Sequence, residues 1–336
     1  SDYDLPNDTV YAESCASIGL MMFARRMLEM EGDSQYADVM ERALYNTVLG
    51  GMALDGKHFF YVNPLEVHPK SLKFNHIYDH VKPIRQRWFG CACCPPNIAR
   101  VLTSIGHYLY TPREDALYIN IYAGNSMEVP VENGTLRLRV SGNYPWQEQV
   151  TIAVESPQPV RHTLALRLPD WCIQPQIILN GEEVEQDIRK GYLHITREWQ
   201  EGDTLNLTLP MPVRRVYGNP LVRHVAGKVA IQRGPLVYCL EQADNGESLH
   251  NLWLPADAPF TTFEGNGLFR HKILIQAPGY RYEQSNPEQQ PLWHYDSAPA
   301  KRQPQILTFI PWFSWANRGE GEMRIWVNEE TSAIRR

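Results

Sequence analysis

Residues 89–100 read FGCACCPPNIAR and place three of the chain's six cysteines, Cys91, Cys93 and Cys94, within four positions, directly ahead of a Pro-Pro pair. Sulfur crowded in this way serves a metal, a disulfide or a reactive thiolate. The same stretch divides the chain structurally. Proline suits the first turn of a helix, and Ile98, Leu102, Ile105 and Leu109 then recur at helical spacing. Upstream of the motif the pattern is helical; soon after it the period changes to two.

The upstream helices follow from spacing. Ala16, Leu20, Phe23, Met27 and Met30 form one apolar stripe that Gly32 ends, and Tyr36, Met40, Ala43 and Thr47 form a second that runs to Gly50-Gly51. Met and aromatic stripes at this spacing belong to a core, and all three are assigned there. Between the second and third helices, KHFFYVNPLE (Lys57–Glu66) is short and aromatic and reads as a strand or loop. Three helices are too few for an independent all-α domain, so the helical part reads as the tail of a larger one, with Ser1 as a cut end.

Beyond residue 115 apolar and polar residues alternate. TLRLRV sets Leu136, Leu138 and Val140 against arginines, and LALRL and TLNLTL repeat the pattern. Asn133-Gly134 and Asn180-Gly181 mark tight turns. One apolar face with regular turns predicts antiparallel sandwiches. RRVYGNP (Arg214–Pro220) reads as a linker, after which VAIQRGPLVYCLE and ILTFIPWFSW open a second β unit.

Composition narrows the class. The chain has 336 residues, 43% hydrophobic and 21% charged, with a formal net charge of −6, which describes a soluble globular protein of two or three domains. There is no basic block for nucleic acid and no apolar run for a membrane or secretory signal. Six cysteines in this length are too sparse for a disulfide scaffold, which argues for a reducing, cytoplasmic setting.

The cysteines admit three readings. Zinc takes four ligands in a tetrahedron, and Cys91, Cys93 and Cys94 supply at most three. AESCA offers Glu13 and Cys15 in addition. Two residues apart on a helix, their side chains would diverge by roughly 200°, so both face one ion only where the backbone is not yet helical. A disulfide is the second reading, although adjacent Cys93 and Cys94 do not readily bridge. The third is nucleophilic: a helix N-terminus after Cys93 and Cys94 stabilises a thiolate, and zinc keeps a coordinating thiol ionised at neutral pH. Cys172 and Cys239, in strand-like surroundings, read as plain buried thiols.

DYDLPNDTVYAESCASIG (Asp2–Gly19) and WFGCACCPPNIAR (Trp88–Arg100) together closely resemble glycoside hydrolase family 127, the β-L-arabinofuranosidases. LRLPDWC (Leu166–Cys172), QRGPLVYCLE and WANRGEGEMRIWV are similar to the family's β region, so the resemblance runs along nearly the whole chain. It implies an α+β multidomain fold: residues 1–110 as the last helices of an (α/α)6 barrel, then antiparallel β-sandwiches at 111–214 and 215–336, the second offering a homodimer surface. It also implies a zinc-dependent retaining glycosidase with a cysteine nucleophile, acting on arabinofuranoside oligosaccharides or glycoconjugates. Zn2+ would be held by Glu13, Cys15, Cys93 and Cys94, with Cys93 as the nucleophile. Tyr61 would line the sugar pocket, and Cys91 would pack nearby.

The resemblance places the family's acid/base glutamate ahead of Ser1, so that role has no residue here, and Glu13 is needed on the metal. Loss of a general acid typically costs ~10²–10⁴-fold in rate, so the isolated chain is expected to be inactive. Without partner helices its apolar stripes would stand exposed, a solubility liability. The contrasting expectation is a non-catalytic carbohydrate-binding or structural module that keeps zinc for folding.

Overall fold

The structure is a computed structural model and describes residues 2–113, 116–131, 134–282 and 301–330. Helix α1 (Ser14–Glu31) ends at Gly32, whose left-handed backbone (φ 64°) lets its N–H reach Leu28 O at 2.9 Å. Asp33 then caps α2 (Ser34–Ala43) by accepting from Gln35 N. The helix continues as a π-helical turn over Leu44–Val48. That wider turn aims Asn46 at the edge of the last β unit, where its amide donates to Pro235 O and accepts from Val237 N. After β1 (Glu66–Val67) come the short α3 (Pro69–Leu72), then α4 (Cys94–Thr103), with its prolines in the first turn as the sequence predicts, and α5 (Gly106–Leu109).

The α1 stripe is a correction. Ile18, Met21, Ala24 and Leu28 are the buried face, whereas Leu20, Phe23 and Met30 are 50%, 63% and 73% exposed. The helix is apolar on both sides, so its period alone does not choose the face turned inward. In the other two stripes Met40, Ala43, Ile98 and Leu109 are buried.

The first β unit comprises β2 (Tyr110–Pro112), β3 (Leu117–Ile119), β4 (Asn125–Val131), β5 (Gly134–Gly142), β6 (Gln149–Val154), β7 (Val160–Arg167), β8 (Gln176–Leu179), β9 (Glu182–Glu183), β10 (Ile188–Arg189), β11 (Tyr192–Trp199) and β12 (Thr204–Thr208). They form a five-stranded sheet, β10-β11-β7-β3-β2, and a six-stranded one, β4-β5-β6-β12-β8-β9. Leu136, Leu138 and Val140 are buried while Arg137 and Arg139 face out, as the alternation requires. Asn180 and Gly181, both at positive φ (53° and 92°), turn β8 into β9. Asn133, of the other expected turn, lies outside the described residues. One pairing departs from the antiparallel expectation: β3 runs parallel to β7.

The second β unit comprises β13 (Val213–Val216), β14 (Lys228–Arg233), β15 (Leu236–Glu241), β16 (Leu252–Pro255), β17 (Thr261–Glu264), β18 (Ile273–Tyr282), β19 (Arg302–Pro311), β20 (Met323–Arg324) and β21 (Val327–Glu330). These strands are joined in one ladder that returns on itself. β15, β19, β18, β16, β21 and β14 pair in turn, and β14 pairs again with β15. Closure removes the edges these strands would otherwise expose, and it uses a parallel β16–β21 pair.

Side chains lock the three parts together. Arg85, almost wholly buried, donates to Gly50 O, Phe313 O and Trp315 O. Arg167 on β7 is fully buried between Asp38 (2.7 Å) and Glu41 (2.6 Å) of α2. Tyr144 and Trp171 also donate to Glu41. Among the described residues no helix is long and apolar enough to cross a membrane.

Candidate active site and metal centre

Three segments meet at the sulfur cluster. Glu13 is the N-cap of α1 with an extended backbone (φ −67°, ψ 136°), and it bridges antiparallel to Val62. Ser14 N donates to Tyr61 O at 3.0 Å, which seats the start of α1 on the aromatic segment. Glu13 therefore precedes the helix and Cys15 stands in its first turn, the one arrangement in which residues two apart can face a common point. Cys93 is the N-cap of α4 and Cys94 its first residue.

The four side chains converge. Cys15 Sγ lies 3.8 Å from Cys94 Sγ, Cys93 Sγ lies 3.9 Å from Cys94 Sγ, and Cys93 Sγ lies 3.8 Å from Glu13 Oε1. All four donor atoms fall within 4.8 Å of one another. A zinc ion with Zn–S near ~2.3 Å in a tetrahedron separates its sulfurs by about 3.8 Å. The donor set thus fits a tetrahedral, thiophilic cation with little rearrangement. Burial, helped by the thiols of Cys15 and Cys93, pushes the Cys94 thiol well up. A divalent cation is the charge that would offset several anions crowded here.

The surroundings give the three cysteines of the motif different roles. Cys94 is buried, Cys93 half-buried and Cys91 exposed, so Cys91 is not the packing residue the resemblance suggests. Tyr61 is half-buried, and its interaction with the Cys93 thiol, then desolvation and the charge of Glu13, hold its hydroxyl protonated. Its ring meets Tyr11 at 6.3 Å and Phe89 at 5.8 Å. Together with His80, Lys82 and Cys91 these residues line an open cleft of about 220 Å³. Larger hollows, about 470 Å³ beside His107 and about 640 Å³ beside Ile173, do not touch the sulfur cluster. Cys172 and Cys239 are buried, as expected of plain core thiols.

Tyr11, His80 and Phe89 escaped the sequence reading. His80 Nε2 sits 3.1 Å from Thr9 O, and its ring lies 5.4 Å from that of Tyr11. The available signal was an aromatic residue two positions ahead of Glu13 and four ahead of Cys93, which is weak without the bridge that folds residues 61–63 against residues 12–14.

Known family domains match the chain along almost its whole length. The β-L-arabinofuranosidase GH127 catalytic domain matches residues 1–107, its middle domain residues 116–211 and the family 127 C-terminal domain residues 213–328. The chain belongs to glycoside hydrolase family 127. Within the family, it is 38% identical over 335 residues to a non-reducing end β-L-arabinofuranosidase of Bifidobacterium longum subsp. longum, covering 96% of this chain and 50% of that one. It superposes with a TM-score of 0.92 at 48% identity on a GH127 β-L-arabinofuranosidase from Geobacillus stearothermophilus T6, covering 98% of this chain and 52% of that one. A further GH127 β-arabinofuranosidase structure matches at TM-score 0.87 and 32% identity, with 98% and 51% covered. The family 127 chain described here spans about half the length of these relatives.

Proposed function

We propose that this family 127 chain carries the nucleophile side of a zinc-dependent retaining glycosidase that releases β-L-arabinofuranose from arabinosides. One observation supports the reading above the others: the Cys93 sulfur contacts both Glu13 and Cys94 of the cluster and interacts with Tyr61, which lines the cleft. The other thiols are less suited, since Cys94 is buried and Cys91 stands outside the cluster. In this reading α1 to α5 are the closing part of an (α/α)6 barrel, and the free thiols suit a reducing compartment.

Glu13, Cys15, Cys93 and Cys94 would hold the zinc. Bound there, the ion would supply the positive charge that keeps these thiols ionised at neutral pH. The residues then divide the work. The Cys93 sulfur attacks the anomeric carbon as the glycosidic C–O bond breaks, giving a thioglycosyl intermediate on Cys93. A carboxyl group protonates the departing oxygen, then takes a proton from the water that displaces the sulfur, and two inversions leave the configuration retained. The Tyr61 hydroxyl orients the sulfur, while Tyr11, Phe89 and His80 wall the sugar site.

Neither cluster nor cleft supplies that acid. Glu13 is a proposed metal ligand, and Asp79 is exposed and paired with His76 at 3.3 Å. The chain alone is accordingly expected to be inactive in turnover while still able to be labelled. The test is incubation with a β-L-arabinofuranose electrophile, followed by intact mass and adduct mapping. A single adduct on Cys93, absent in Cys93→Ser with the fold kept, supports the nucleophile. An adduct on Cys91 or Cys94 overturns the choice of sulfur. Unlabelled protein in which Cys93→Ser loses both zinc and solubility favours a structural metal module instead.

A further inference from the structure

Outside the sulfur site a second group of ligating side chains converges. We propose that His68, His250 and Glu322 form a separate divalent-cation site, with two imidazoles and one carboxylate, that clamps the segment after β1 to the second β unit. One donor atom from each residue lies within 4.8 Å of the other two. The three come from segments far apart in sequence, so local chain geometry does not account for their meeting.

The carboxylate is built in. Glu322 is buried, with its Oε2 accepting from Leu249 N at 2.8 Å and its Oε1 from Ser248 N at 3.1 Å. A carboxylate has about four lone-pair positions, so two backbone donors fix it and leave capacity facing His68. The same two donors begin the turn Leu249–Asn251 that carries His250, so Glu322 also positions the second imidazole. His68 Nε2 stands 3.5 Å from Glu322 Oε1, too long for a good hydrogen bond. Its other ring nitrogen, Nδ1, lies 3.3 Å from the Ser71 hydroxyl. A ring held from behind on one nitrogen, with the other aimed at a fixed carboxylate, is how metal-binding histidines are oriented.

The chemistry selects the ion. Two imidazoles and a carboxylate favour zinc, cobalt or nickel over calcium or magnesium, which want more oxygen ligands. His250 is exposed, which leaves room on its side for water as a further ligand. The cation would reinforce a junction that already exists, since β1 pairs with β20 through Glu66↔Arg324 and Val67↔Met323. Nitrogen and oxygen donors also distinguish this site from the thiols, which gives the test its readout.

The experiment uses the whole chain, stripped of metal, titrated with cobalt(II) chloride and followed by near-ultraviolet and visible absorption together with bound-metal analysis. Thiolate coordination gives an intense sulfur-to-cobalt band; the proposed site adds cobalt without it. The expected result is that the wild type binds one more equivalent than His250→Ala and than His68→Ala, with the sulfur band equal in all three. His250 is exposed, so that variant keeps its fold, which an unchanged metal-free melting curve verifies. Cobalt should also raise the melting midpoint of Cys93→Ser, and fail to do so when His250→Ala is added. Equal cobalt content in the wild type and both histidine variants at micromolar free cobalt would overturn the proposal, whatever the sulfur site does.

Discussion

The buried trio that joins α2 to β7 supports a prediction opposite to the usual reading of an ion pair. Asp38 and Glu41 share the single guanidinium of Arg167, all three being buried. Two carboxylates against one cation leave an excess negative charge away from water. Burial accordingly raises Asp38 from 3.8 to about 6; the pull of Arg167 opposes this, and the charges of Asp170 and Glu41 add to it. The folded state thus holds the Asp38 proton more tightly than the unfolded chain does. The stabilisation is fully present below about pH 4 and is lost as pH rises through about 6, a change of about 3 kcal/mol. Asp38→Asn keeps the shape and carries no charge, so its stability relative to wild type should rise by about 3 kcal/mol between about pH 4 and pH 7. Urea unfolding followed by tryptophan fluorescence across that range measures the difference. A difference that stays flat, or that turns against the variant as pH rises, would mean the attraction of Arg167 outweighs desolvation, and the reasoning would fail.

Three further substitutions probe the site and the helix faces. A Cβ at Gly51 would meet Ser14 Oγ at 2.7 Å and Ile98 Cδ1 and Val48 O at 3.2 Å each; Ser14 lies between Glu13 and Cys15, so Gly51→Ala should cost roughly 1–3 kcal/mol and weaken cobalt binding at the thiols. Unchanged melting and an unchanged sulfur-to-cobalt band would show that the packing there is looser than these distances state. On α1, Ile18→Ala should cost about 2–4 kcal/mol and Phe23→Ala less than ~0.5 kcal/mol; comparable losses in chemical denaturation would contradict the assignment of Ile18 to the inner face.

What the sequence made legible was local. Pro95-Pro96 marked the start of α4, Gly32 the end of α1, and Asn180-Gly181 a turn, because each depends on a backbone preference of one or two residues. Side-chain directions alone required the Glu13–Cys15 pair to stand at a helix start if both were to face one ion. What escaped was pairing over distance. Residues 117–119 and 164–167 are buried on both faces, and a parallel and an antiparallel neighbour satisfy such a run equally, so the β3–β7 pair was not foreseen. The ring closure through β14 and β15 has no local signal either. Arg167, Asp38 and Glu41 are charged residues that a pattern assigns to the surface, and only their mutual pairing makes burial tolerable.

The segment from Tyr61 to His68 shows why the two clusters belong to one structural argument. Tyr61 O accepts from Ser14 N, Val62 bridges Glu13, and Asn63 N donates to Ala12 O, which fixes the end that touches Cys93. Leu65 N and Glu66 N both donate to Asn7 O, and Glu66 and Val67 then pair with β20. His68 follows at once. Backbone bonds at nearly every step leave this stretch little slack, so it cannot shift at one end without straining the other. A cation holding His68 to Glu322 would therefore restrain, through seven residues of bonded chain, the tyrosine whose hydroxyl meets the proposed nucleophile. It would do so by limiting motion, with no change in the site's own donors.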